Sequence, residues 1–119
     1  MDSEELKNRT KRFAIEIIHF LQTLPKSDEI KIIKGQLVRA ATSVAANYPA
    51  ACRSRSKNEF YSKICIVVEE SDESLFWLEV LEESKLADGE KLQLLKNEAQ
   101  ELVQIFSSTR KTLKENMNN

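Results

Sequence analysis

Apolar side chains recur along this chain at intervals of three and four residues in four successive runs, the period of helices with one buried face. Only two glycines and two prolines occur in 119 residues, too few for the many tight turns of an all-β chain. The pattern therefore predicts four helices, over about 3–24, 28–52, 57–86 and 89–115.

Each run carries its own start or stop signal. Asp2 or Ser3 can cap the first, and Glu5 has the spacing to complete a capping box from Asp2. Its apolar face reads Leu6, Phe13, Ile17, Phe20, Leu21 and Leu24, and Pro25 ends it. Ser27 caps the second, whose first turn holds Asp28 and Glu29 at the positive end of the helix dipole. Ile30, Ile33, Leu37, Ala41, Val44 and Tyr48 form its face, and Ala40, Ala45, Ala46, Ala50 and Ala51 make it narrow. A narrow helix admits close neighbours, which suits a central element. Pro49 lacks an amide proton and crowds the carbonyl of Ala45, so a kink or an end is expected there. Ser56 and Glu59 open the third helix, with Phe60, Ile64, Val67, Val68, Ser71, Leu75 and Leu78 on one side. The turn signal Ala87-Asp88-Gly89 leads into Leu92, Leu95, Ala99, Leu102, Val103, Phe106 and Leu113, and the tail Met117-Asn118-Asn119 is expected to fray.

Short connections between long helices favour antiparallel neighbours, so the expected fold is an all-α, up-down-up-down four-helix bundle in a single domain over 1–119. A helical hairpin pair that dimerises is the alternative. The charged start MDSEELKNRTKRF and the absence of a long apolar run predict a cytoplasmic protein with no membrane association. Cys52 and Cys65 are too few for a disulfide framework and form no zinc pattern, which leaves free thiols packed as small apolar groups.

No motif for catalysis stands out, and no cofactor is expected. Gly35 and Gly89 are isolated, so there is no phosphate-cradling loop, and no HExxH, nucleophile elbow or EF-hand loop is present. His19, the single histidine, falls with Ile15 on the face opposite Leu6, Phe13 and Ile17, which suits solvent or an interface better than general base work. Glu69, Glu70, Asp72 and Glu73 form a carboxylate cluster, but a ferritin-type site needs Glu-x-x-His pairs on two helices. A solvated or ion-paired face is the better reading.

The third helix carries a second apolar stripe. Ile66, Trp77, Val80 and Leu81 lie roughly opposite the Phe60-to-Leu78 face, with Glu70 and Glu73 between them, and a helix lining one core needs one stripe. Ile15, Ile18, Leu94 and Ile105 also point away from their main faces. Either the core is broad, with scattered exposed apolar residues, or the stripe is a subunit interface anchored by Trp77.

Net charge is only −1, yet residues 1–68 sum to +5 and residues 69–90 to −8. In an up-down-up-down bundle one end would gather Lys7, Arg9, Lys11, Arg12, Arg53, Arg55, Lys57, Arg110, Lys111 and Lys114. Such a pole suits phosphates, so RNA or DNA is a candidate partner, with Arg9, Lys11, Arg12, Arg53, Arg55, Lys57, Arg110 and Lys111 as contact residues. The acidic stretch suits the basic pole of another copy equally well.

The run QLVRAATSVAANYPAACRSRSKNEF (36–60), followed by VEESDESLFWLEVLEES (68–84), resembles the four-helix-bundle family first associated with intervening sequences in bacterial 23S ribosomal RNA genes. Its most specific parts are Arg39 to Asn47, Glu59-Phe60, and the Glu-rich segment ending in Trp77-Leu78-Glu79. That family is similar in fold to the accessory variability protein of diversity-generating retroelements, a homopentamer that binds nucleic acid and a reverse transcriptase. The resemblance implies a ring, in agreement with the second stripe. Arg39, Ser43 and Asn47 recur every four positions, where they can pair with Glu70 or Glu73 and fix helix or subunit register. The reading is a non-enzymatic, homo-oligomeric scaffold with a basic pole for RNA or DNA. A protein-binding adaptor comes second and an uncharacterised enzyme third.

Overall fold

The computed structural model describes residues 1–118 and contains four helices in chain order: α1 (Ser3–Gln22), α2 (Asp28–Cys52), α3 (Lys57–Glu83) and α4 (Glu90–Asn118). Each packs against its two neighbours around a square, α1 on α2, α2 on α3, α3 on α4 and α4 on α1. One chain therefore closes the bundle by itself, so the hairpin-pair alternative is set aside. The α2–α3 seam is the most extensive and the α1–α4 seam the least.

All three predicted N-caps form. The Asp2 carboxylate accepts from the Glu5 amide at 2.8 Å, and Ser27 and Ser56 accept from Ile30 and Glu59, both at 3.1 Å. The helix ends differ more from expectation. α1 stops two residues short of Leu24, because a residue before proline is pushed out of helical geometry, and the Thr23 and Leu24 amides close the end on Phe20 and Leu21. α3 stops at Glu83 because Lys85 takes the left-handed conformation (φ 64°), and the Leu86 and Ala87 amides then bond back to the Leu81 carbonyl. α4 continues through Met117 and Asn118, where fraying was expected; Asn119 lies outside the described residues.

Pro49 does not end α2. Regular helix runs through it to Cys52, and the Arg53 amide turns back to Pro49 and Ala50. Here the proline costs the bond its missing amide would give Ala45 and crowds that carbonyl, and the burial of Tyr48 and Ala51 on either side holds the turn in place against both.

The core follows the predicted faces. Ile17, Leu37, Val44, Ile64, Val67, Leu78, Leu92, Leu102 and Phe106 are fully buried, and Phe106 meets the Tyr48 ring with centroids 5.2 Å apart. Ala40, Ala41, Ala51, Ser71, Ser74 and Ala99 are buried as well, and their small size lets the backbones approach closely. Leu24, Phe60, Leu75 and Leu113 pack against the core from its margins. Neither cysteine is paired; both are half-buried, and Cys52 packs on the core.

Candidate functional surfaces

Ion pairs fix the register of the seams. Arg9 forks onto Glu98, with Nε and Nη2 each 2.7 Å from a carboxylate oxygen, and Lys91 pairs with Glu16. Opposing residue 9 to 98 and residue 16 to 91 places the start of α1 near residue 104, so the last 14 residues or so of α4 extend past it by roughly 20 Å at 1.5 Å per residue. The pole is consequently built by three elements only: the end of α2 with its turn, the start of α3, and the end of α4.

This corrects the predicted pole. Arg9 is taken up by Glu98, with Glu101 at 3.4 Å, and its guanidinium is held more firmly protonated by the Glu98 hydrogen bonds. Lys11 and Arg12 flank Ile15 on the outward side of α1, roughly 20 Å along the axis from Arg110 and Lys111. Lys7 pairs with Glu4. What stays together at the pole is Arg53, Arg55 and Lys57 beside Arg110, Lys111 and Lys114, none of which forms an ion pair among the described residues. Lys63, one turn or so further along α3, is likewise free of an ion pair there and was absent from the sequence reading.

The second surface lies over the α2–α3 seam. Arg39 donates through Nη1 to Glu70 at 2.7 Å and through Nη2 to Glu73, and these hydrogen bonds raise its pKa. Glu73 also accepts from the Trp77 indole N–H at 3.4 Å. Arg39 thus sets helix register within one chain. Ser43 and Asn47 do not join it: the Asn47 amide donates to the Ser43 carbonyl and hydroxyl within α2, because both sit a turn or more beyond the reach of Glu70. The carboxylate cluster therefore divides, with Glu70 and Glu73 bound to Arg39 while Glu69 and Asp72 face solvent. Among the described residues no group of three or more His, Cys, Asp or Glu is placed to hold a metal ion.

Seven residues is nearly two full helical turns, so the apolar surroundings of this pair follow from its register. Ile32 precedes Arg39 by seven, and Trp77 and Val80 follow Glu70 and Glu73 by seven; in an antiparallel seam Ile32 is set opposite Trp77 and Val80. By the same step in the other direction Ala46 faces Lys63 and Ile66. Ile32 is 65% exposed, Phe76 52% and Ile66 40%. The Phe76 and Trp77 rings meet edge to face at 4.9 Å, and Phe76 and Val80 border a shallow cavity with Glu79, Glu83 and Ser84. The predicted stripe is thus partly corrected. Leu81 belongs to the core, fully buried, because α3 is flanked by both α2 and α4 and its buried arc is wider than one stripe. Trp77 and Val80 are half-buried against that core, while Ile32 and Phe76 are the exposed members that the sequence reading passed over. Ile15 and Leu94 remain exposed on the α1–α4 side, and His19 is exposed near Asp88 and Glu90.

These helices, closed in a ring of antiparallel neighbours with no helix long and apolar enough to cross a membrane among the described residues, define the chain as a four-helix bundle of globular type. Its sequence matches the 23S rRNA-intervening sequence protein family over residues 3–108, and the chain belongs to that family. The fold is similar to that of a protein of unknown function from the S23 ribosomal protein family of Bacteroides thetaiotaomicron, with 25% identity, a TM-score of 0.81, and coverage of 89% of this chain and 98% of that one. Among curated proteins none matches.

Proposed function

We propose that this chain is a non-enzymatic cytoplasmic scaffold that self-associates through the outer face of α2 and α3 and presents its cation-rich pole to RNA or DNA. The observation that carries the reading is the apolar rim around Arg39, Glu70 and Glu73. Ile32, Ile66 and Phe76 stay exposed around that ion pair, with Phe76 packed edge to face on the half-buried Trp77, and aromatic residues in an apolar surface of this kind are enriched at protein contacts. A ring of five copies is the assembly that the family resemblance implies. The free cations of the pole support nucleic-acid binding, since each phosphate neutralised releases counterions.

A protein adaptor without a nucleic-acid role is the second reading, favoured by the same exposed Phe76, which would serve a different partner equally well. Phe76→Ser separates the two. It removes an exposed ring that lies outside the core, so helicity and melting should hold while the mass measured by light scattering falls toward that of one chain. Unchanged mass would remove the α2–α3 face from the assembly. A wild-type chain that is already monomeric at micromolar concentration would favour the adaptor.

A further inference from the structure

The pole's cations are not spread evenly around the bundle end. Lys57 and Tyr61 on α3 are one turn apart, and so are Arg110 and Lys114 on α4, and the wheel positions of both pairs turn them toward the α3–α4 groove. Tyr61 is half-buried, and its pKa is raised chiefly by the neighbouring Cys65 thiol and by burial, with the Arg110 charge from α4 acting in the opposite sense. Phe60, the next residue, closes the floor of this end against the core with Leu113. The result is one accessible aromatic ring flanked on two helices by cations that have no acidic partner among the described residues.

Resting on the nucleic-acid reading of the pole, we infer that the α3–α4 groove takes a single strand, with one base stacked on Tyr61 and successive phosphates held by Lys57, Arg110 and Lys114. Residues four apart on a helix are separated by about 6 Å along the axis, close to the step between neighbouring phosphates of an extended strand. A duplex presents its bases edge-on and stacked, so Tyr61 gains nothing from it; an unpaired strand offers a free π-face of any base. The array therefore reads strandedness rather than sequence. Three cations on three phosphates of a single strand give a log–log salt slope of roughly −2.

The test is fluorescence anisotropy of the full chain with labelled oligouridylate and oligothymidylate, each alone and annealed to its complement, across salt. Wild type is expected to bind at least one single strand tenfold or more tighter than its duplex. Tyr61→Phe should keep this preference, Tyr61→Ala should lose about tenfold on the single strand only, and Arg110→Glu with Lys114→Glu should flatten the salt slope. Circular dichroism of each variant confirms the fold. Equal affinity for strand and duplex, or an unchanged single-strand affinity in Tyr61→Ala, overturns the groove while leaving the basic pole standing. No binding of any of the four probes at low salt overturns both.

Discussion

Arg9 stands in the sequence as one more cation of a basic end, and in the structure as half of an ion pair, so its substitution separates the two meanings. The Arg9 and Glu98 side chains keep only 22% and 27% of their exposure, and the guanidinium forks onto both carboxylate oxygens at 2.7 Å. A charge-assisted, two-pronged bond of this kind is worth more than an open surface pair, which gives a few tenths, and less than a buried one; about 1 kcal/mol is the expected loss in Arg9→Gln. In a domain of this size that lowers the melting temperature by about 4 °C, measured at fixed protein concentration because the proposed self-association would be linked to stability. Glu98→Gln should cost a similar amount, and the double variant little more than either, leaving a coupling of about 0.5–1 kcal/mol in a double-mutant cycle. Nucleic-acid affinity and its salt slope should be the same in Arg9→Gln as in wild type. Additive losses would show that the pair is not coupled, and a shallower salt slope would return Arg9 to the ligand surface and refute the register drawn from it.

Three further outcomes follow from the packing. Leu81→Ala should destabilise the fold by about 2–5 kcal/mol in denaturant unfolding, as for a fully buried leucine, where a surface stripe residue would cost little. The buried Ser71 hydroxyl has no hydrogen-bond partner among the described residues, so Ser71→Ala should leave stability unchanged or raise it by up to about 1 kcal/mol, read from the same transition. Glu82 has its pKa lowered by hydrogen bonds from Lys96 and then Gln93, so its contribution is present above the ordinary carboxylate range and is lost as pH falls through the depressed value. Melting of wild type and Glu82→Gln should therefore differ at neutral pH and converge in acid; a gap that persists in acid would contradict the assignment.

What could be read from the sequence was local. The caps at Asp2, Ser27 and Ser56 depend on a side chain reaching an amide three residues away, and the buried faces depend on a period of 3.6, so both are written in neighbouring residues. The short connections gave the expectation of a bundle, and the family resemblance added that of a ring of subunits. What escaped depends on partners far along the chain. Glu98 is 89 residues from Arg9, and no pattern within α1 shows that its charge is spoken for. Leu81 looked like part of an outer stripe because the wheel of one helix does not reveal that two neighbours widen its buried arc. Phe76 falls on the wheel nearly opposite Leu78 and one turn from Val80, so its exposure is legible in the period of α3, although Trp77 alone stands out there as an anchor. The length of α4 was nearly right, yet only the register with α1 shows that its basic end stands beyond the first helix.

Two surfaces are proposed to work in one particle, and a single titration addresses both. Purified wild-type chain would be mixed with single-stranded RNA, structured RNA and duplex DNA at salt from roughly 50 to 200 mM, with the mass of the protein recorded by light scattering in the same buffers. A stable homo-oligomer whose affinity falls steeply with salt, and whose Arg53→Glu, Arg55→Glu double variant no longer binds, is the predicted result. An intact oligomer that binds none of the three at the lowest salt would contradict the nucleic-acid half, and a monomer throughout would contradict the scaffold itself.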